Sequence, residues 1–419
     1  MTDTASTIPD SPPRAPLWRA YLLAAGHGTT HWTPAAFFLM MPLIEQELKV
    51  GYTAIGFVMT VYYICSTLTN IIGGFAVDKT GRTVLVMMTS LLIGVVGITL
   101  IGFSTTYFMI CAFAGVLGFS SNLWHPASFS YLSSHYPERR GLVFGIHATG
   151  ANLGDAIAPL STGALLSVYT WHETTSLVAL APLSLAILVT VFLLGGERNM
   201  VRANRAAGKK PMSLADYGRG VKGLAKSRFV LTLCLVSGLR SVSQNGLFLF
   251  LPLFLMHERG ISPILIGLTI SALQIGGALI APIAGHWSDR MNRKMVARLG
   301  FGAAIVLVLS LTQFAHVYML VPIALMLGVA LYSVRPVLQG WLMDMTPDSI
   351  RGTATSGMFG VQSLMSAITP VIGGFVADSF GLQSAFYFIA FTMFAAIFAT
   401  SLVPSEQTKL PEQEQETPA

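Results

Sequence analysis

The second half of this chain restates the landmarks of its first half at a nearly constant offset. Gly74-Phe-Ala-Val-Asp78-Lys79-Thr-Gly81-Arg82 returns as Gly285-His-Trp-Ser-Asp289-Arg290-Met-Asn292-Arg293, so position 74 maps to position 285, a shift of 211. Arg140-Gly141 returns as Arg351-Gly352, Pro159 as Pro370 and Gly163 as Gly374 at the same shift; His125-Pro126 returns as Arg335-Pro336 one position earlier. A period this long excludes a solenoid of short repeats. In an apolar chain it points to two copies of one multi-helix membrane unit.

The chain is apolar enough for that reading. Hydrophobic residues make up 53% and charged residues 11%, where a soluble domain carries roughly a quarter charged. A helix needs about 20 apolar residues to cross a bilayer. The pattern predicts spans near 17–42, 51–77, 83–103, 106–134, 141–168 and 174–194, then near 229–256, 263–287, 294–314, 317–345, 352–377 and 382–403. The expected fold is an all-α membrane protein of twelve transmembrane helices in two six-helix pseudo-symmetric bundles, 17–194 and 229–403. A cytoplasmic tail (1–16), a basic linker (195–228) and a second tail (404–419) complete the organisation; both tails are expected to be disordered.

Basic residues give the orientation. Lys49 and Arg259 fall in odd-numbered loops, and Arg240 and Arg335 fall inside spans. The rest of the 25 Lys and Arg lie in the tails and even-numbered loops or within about one turn of the span ends that adjoin them. The positive-inside rule then places both termini in the cytoplasm. The net charge of +6 reflects this topology and does not imply nucleic-acid binding. Cys65, Cys111 and Cys234 each fall within a span and show no metal-ligand spacing, so they are read as packing residues.

Five intramembrane basic groups stand out, because a charge at mid-bilayer costs at least about 2.5–3.5 kcal/mol and so faces a cavity or a partner. Arg240 lies about 15 Å into helix 7 and Arg335 about 18 Å from the inner end of helix 10, at 1.5 Å per residue. His27 and His31 share one face of helix 1, and His125 has a comparable depth on helix 4. Asp155 on helix 5 is the one deep carboxylate. Two fixed cations against one carboxylate favour an anionic ligand, and the planar guanidinium suits carboxylate or phosphonate. Arg240, Arg335, His125, His31 and His27 are therefore the candidate substrate ligands, although either Arg could instead brace the fold by pairing with Asp155. Asp155, His31 and His27 are the candidate proton carriers. His27-x3-His31 also has a metal-ligand spacing, but the sequence gives no third ligand of known proximity, and no metal or cofactor is expected. His147 is expected to lie behind the site, and His172, His257, His286 and His316 to have no special role.

The Gly-x3-Asp-x2-Gly-Arg loop between helices 2 and 3, repeated between helices 8 and 9, resembles the signature loop of the major facilitator superfamily. Its members are in Gly74, Asp78, Gly81 and Arg82 and in Gly285, Asp289, Arg290 and Arg293, with Asn292 where the pattern has Gly. The resemblance implies a gating role for both loops and a central cavity lined by helices 1, 4, 7 and 10. Gly145-x8-Gly154-x3-Ala158-Pro159-x2-Thr162-Gly163 resembles the helix-5 pattern of the superfamily's proton antiporters, with Ala158 and Thr162 at two Gly positions. Trp124-His125-Pro126, Arg139-Arg140-Gly141 and Gly150-Ala-Asn152-Leu153-Gly154 resemble its fosmidomycin-resistance branch. The function so implied is a proton-coupled secondary transporter in the cell inner membrane, moving a small organic anion by alternating access, as an exporter. A carboxylate-importing symporter, a non-transporting receptor and an enzyme using His125, His147 and Asp155 are the competing readings. The expected partners are the anion, protons and the lipid bilayer, with the protein acting as a monomer. Nothing reads Gly-x4-Gly-Lys-Ser/Thr, so no nucleotide drive is implied.

Overall fold

A computed structural model describes residues 15–206, 227–313, 316–346 and 351–403; the expected tails and most of the expected linker lie outside them. Twelve α-helices account for nearly all of the described residues. They are α1 (Trp18–Leu48), α2 (Tyr52–Thr80), α3 (Thr83–Gly102), α4 (Tyr107–His135), α5 (Arg140–Leu166) and α6 (Trp171–Ala206), followed by α7 (Arg228–His257), α8 (Pro263–Arg290), α9 (Arg293–Gln313), α10 (Val317–Met345), α11 (Arg351–Phe380) and α12 (Gln383–Leu402). Helix α6 runs past its expected end at 194 into the segment read as linker. Ten of the helices are long and apolar enough to cross a membrane by composition alone. The two that are not, α1 and α5, carry His27, His31, His147 and Asp155. They fall short because they bear the polar wall of the interior.

The repeat seen in sequence is also a repeat in packing. On α4, a Cβ added to Gly118 would lie 2.2 Å from the carbonyl oxygen of Tyr62 on α2; on α10, one added to Gly328 would lie 1.9 Å from that of Leu273 on α8. The same close approach thus recurs at the sequence repeat. Small residues allow it because they remove the side chain that would hold the backbones apart. Within the first bundle, α1 and α5 meet in the same way: a Cβ on Gly150 would lie 2.0 Å from the Ala24 oxygen, and one on Gly154 2.1 Å from the Gly28 oxygen. Gly145 does not share this role, since a Cβ there would meet nothing within 4 Å. Its place in the helix-5 pattern has no packing reason in this conformation.

The bundles meet closely at the end remote from Trp18 and Leu402. Here α2 packs on α11 and α5 on α8. A Cβ on Gly56 would lie 2.1 Å from the Pro370 oxygen, and one on Gly267 the same distance from the Pro159 oxygen. Gly374 against Tyr52 and Gly163 against Pro263 form a second such pair, each at 2.5 Å. Polar contacts reinforce this seam. Asp378 on α11 accepts hydrogen bonds from the Tyr52 N–H (2.8 Å), the Thr53 N–H (2.8 Å) and the Thr53 hydroxyl (2.6 Å). These are unsatisfied amides of the first turn of α2, where a carboxylate is favoured. His257 Nε2 lies 3.4 Å from Glu45 and His172 Nε2 3.0 Å from Glu47, so both histidines hold helix ends, contrary to the expectation that they do nothing in particular.

The two copies of the loop motif close differently. Gly81 ends α2 at φ 67°, in the left-handed region, with its N–H on the Val77 oxygen at 2.7 Å; that conformation favours glycine. In the second copy no positive φ is used. Asn292 instead accepts from the Lys294 N–H at 2.9 Å, capping α9, which is a common use of Asn. The replacement of Gly by Asn thus follows from a different turn. Arg293 Nη2 binds Asp344 of α10 at 2.5 Å, and its guanidinium lies over Gly340, where a Cβ would sit 2.9 Å from Nη1. Around Gly74 and Gly285 the helix is open or in ordinary contact. The side chains of Asp78, Asp289 and Arg290 lie outside the described residues.

Candidate functional site

Between the bundles lies a cavity of about 360 Å³, bounded on one side by the closed seam. Its walls include residues of α1, α4, α7 and α10, as expected, and also of α2, α5, α8 and α11. His31, His125, Asp155 and Arg335 all line it. Two expected ligands lie one layer back: His27 and Arg240 are buried and absent from the wall.

The first-bundle wall is a histidine cluster. His27 Nδ1 donates to the main-chain oxygen of His147 at 2.8 Å, which leaves Nε2 of a neutral His27 as an acceptor. That Nε2 lies 3.2 Å from His125 Nε2. His31, one turn on, places Nδ1 3.1 Å from Asp155 Oδ2 and 3.2 Å from Oδ1. The His147 ring stacks on His27 with centroids 3.9 Å apart, and its Nε2 meets the Ser128 hydroxyl at 3.2 Å. His147 thus belongs to the cluster itself rather than lying behind it, a contact that its separation of 120 residues from His27 hides in the sequence. The close backbone packing at Gly28, Gly150 and Gly154 brings α1 and α5 near enough for these links.

The second-bundle wall carries the cations. Arg240 donates from Nη1 to Gln244 Oε1 at 2.6 Å and reaches the Ser241 hydroxyl at 3.4 Å. Gln244 Nε2 donates in turn to the Tyr332 hydroxyl at 3.0 Å, and that hydroxyl donates to Gln274 Oε1. A buried guanidinium thus stands at the root of a chain of polar side chains on the cavity surface. Among the described residues no carboxylate pairs with Arg240 or Arg335, and Arg240 Nε has no hydrogen-bond partner. The pairing of either arginine with Asp155, left open by the sequence, does not occur here; Asp155 faces His31. Tyr63 bridges the bundles, its hydroxyl donating to Asn245 Oδ1 at 3.0 Å, while Asn245 Nδ2 donates to Ser366 at 2.6 Å. Gln244, Asn245, Gln274 and Tyr332 escaped sequence reasoning. Their signal was a set of amides and a phenol in mid-span, weaker than a charge because such groups can be satisfied within a helix bundle.

Sequence alone left His27-x3-His31 without a third ligand. The fold supplies one: ligand atoms of His27, His31 and His125 all lie within 4.8 Å of one another.

Comparison with known proteins agrees with this architecture. The chain is 23% identical over 396 residues to the multidrug resistance protein MdtG of Proteus mirabilis (strain HI4320), an alignment covering 91% of this chain and 95% of the relative. It is 24% identical over 381 residues to MdtG of Klebsiella pneumoniae (strain 342), covering 88% and 90%. Its fold matches a bacterial homologue of the human lysosomal transporter Spinster, in an inward-facing and unoccupied conformation, with a TM-score of 0.75 at 15% identity over 94% of this chain and 96% of the other. A mutant of the nucleoside transporter NupG matches with the same score at 14% identity, over 92% and 99%. The sequence model of the Major Facilitator Superfamily matches residues 23–240 and 233–419, nearly the whole chain. The protein therefore belongs to the major facilitator superfamily and is a membrane transporter rather than an enzyme.

Proposed function

We propose that this protein is a proton-coupled secondary transporter that exports a small organic anion by alternating access. The observation that carries the reading is the charge pattern of the cavity. Two guanidinium groups serve it without a carboxylate partner among the described residues, while its deep carboxylate, Asp155, is held by His31. Arg335 is the ligand that meets the anion. Arg240 sets the orientation of Gln244 and Tyr332 and adds its charge from behind. Asp155 and His31 form a protonatable pair on the opposite wall, which suits a group that exchanges its proton with each side in turn.

With both termini in the cytoplasm, as the basic residues imply, the closed seam is the extracytoplasmic gate and this conformation faces inward. Lys49 and Arg259 flank that gate on the side poor in basic residues. The MdtG relatives, named for multidrug resistance, favour export. The residues around α4 and α5 that resemble the fosmidomycin-resistance branch favour a phosphonate among the anions. The protein is expected to work as a monomer in the inner membrane.

The test uses the purified protein in proteoliposomes with an imposed pH gradient. Phosphonates and carboxylates are compared with cationic and neutral drugs. Accumulation of an anion, collapsed by a protonophore, supports the proposal. Accumulation of cationic or neutral drugs alone overturns the anion assignment, and transport indifferent to the pH gradient overturns proton coupling.

A further inference from the structure

We propose that His27, His31 and His125 form a binding site for a borderline transition-metal ion of the Zn2+ class in the wall of the central cavity. Zinc binds imidazole nitrogen at about 2.0–2.1 Å with tetrahedral geometry, which sets neighbouring ligand nitrogens roughly 3.3 Å apart. His27 Nε2 and His125 Nε2 are 3.2 Å apart, already at ligand–ligand spacing. The third ligand atom, on His31, keeps all three within 4.8 Å. His31 is half-buried on the cavity surface.

The surroundings match those of ligating histidines. Such a histidine usually donates its other ring N–H to a carbonyl or a carboxylate, which fixes the tautomer and the ring orientation. His27 does so to the His147 carbonyl at 2.8 Å, and His31 Nδ1 is engaged by Asp155 at 3.1 Å. Both residues are therefore held with Nε2 as the remaining ring nitrogen. In the metal-free arrangement the proton on His125 Nε2 can bridge to His27. Ligation moves that proton to His125 Nδ1, a tautomer exchange with no net release, and the cation takes its place between the rings.

Three protein ligands leave a fourth position, as in open zinc sites, and here that position faces the cavity. A water or a donor group of a transported molecule would fill it. All three ligands belong to the first bundle, on α1 and α4, so an ion held there travels with that bundle when the cavity changes access. The site shares a wall with the proposed anion cavity but requires neither an anionic substrate nor proton coupling.

The test is Co2+ and Zn2+ binding to the full-length protein, purified in detergent with any polyhistidine tag removed. We expect one Co2+ per chain, with the intense visible ligand-field absorption of a four-coordinate ion, displaced by Zn2+. His125→Ala and His31→Ala should each abolish the signal. Asp155→Asn should weaken binding by about 10–100-fold through loss of the outer hydrogen bond, and His286→Ala, at an exposed helix end, should leave it unchanged. Because His31 lies on the cavity surface, its variant is the arm that tolerates substitution best; helical content by circular dichroism confirms that each variant is folded. Absence of saturable binding by the folded wild type, or binding that survives His31→Ala, overturns the proposal. Either result leaves the transport assay for anions and protons to be decided separately.

Discussion

Gly267 on α8 packs so closely on Pro159 of α5 that a Cβ there would lie 2.1 Å from the proline carbonyl oxygen, and Gly56 meets Pro370 at the same distance. These contacts exchange under the sequence repeat, since Gly56 maps to Gly267 and Pro159 to Pro370. The closed end is thus a pseudo-twofold seam between the bundles. Two of its four closest approaches depend on a proline whose position inside a helix already weakens the local backbone ladder.

Gly267→Val is therefore expected to force the seam apart. Relieving such a clash by moving a whole helix costs about 1–3 kcal/mol, charged only against the conformation in which the seam is closed. Spin-label distances between the far ends of α5 and α8 should lengthen, with folding and ligand binding retained. Unchanged distances in a folded Gly267→Val protein would show that the seam tolerates the added bulk and does not set the gate.

The seam is asymmetric at Asp378. Asp378 caps α2, whereas its counterpart under the repeat, Ser167, turns its hydroxyl back to the Ala164 oxygen of α5 at 2.7 Å. Loss of a capping carboxylate costs about 0.5–2 kcal/mol. Asp378→Ala should accordingly open the α2–α11 seam more than Ser167→Ala opens the α5–α8 seam. Cysteine accessibility from the far side reads this directly. Equal effects of the two substitutions would remove Asp378 from the gate.

Much of this arrangement could be read in the sequence, and the limits have physical causes. Ten of the twelve helices meet the test of apolar length, α1 and α5 falling short because of their polar residues, and the bundle symmetry follows from the repeat. Of the helix-5 glycines, Gly154 and Gly163 do stand at close helix approaches, whereas Gly145 meets nothing. By contrast, the partner of each polar group depends on which helices meet, and sequence spacing is silent on that. The place of His147 beside His27 is an example. The pairing of Asp155 with an arginine, an alternative that the sequence leaves open, gives way to a contact with His31, whose helix approaches closely at Gly28. Arg240 was expected beside Arg335 on the cavity surface, but its long side chain folds back onto Gln244, one turn further along the same helix.

That geometry separates the two arginines experimentally. Arg335→Gln removes a charge from the cavity surface and should weaken anion binding at least tenfold, since a hydrogen bond to a charged group contributes about 1.5–3 kcal/mol. Arg335→Lys should recover part of the loss, keeping the charge without the planar fork. Arg240→Gln leaves Gln244 and Tyr332 unanchored, so it should weaken binding and broaden selectivity among anions of different shape. Equilibrium binding to a series of phosphonates and carboxylates distinguishes these outcomes. Wild-type affinity in both single variants would remove the arginines from the site.

Asp155 tests the coupling. Its carboxylate lines the cavity, is half-buried, and meets His31 Nδ1 at 3.1 Å, so the pair can hold one proton in a position that substrate and solvent both reach. Asp155→Asn keeps the shape and some of the hydrogen bonding but cannot ionise. Substrate exchange, which needs no net proton movement, should persist in this variant at a rate near that of the wild type. Accumulation driven by a pH gradient should fall to the level set by exchange alone. His31→Gln removes the other member of the pair and should give the same separation of exchange from accumulation. Should both processes fail together in a folded Asp155→Asn protein, the carboxylate serves binding or packing. Should both survive, protons are carried elsewhere, and His27 and His125, 3.2 Å apart through their Nε2 atoms, become the groups to substitute next.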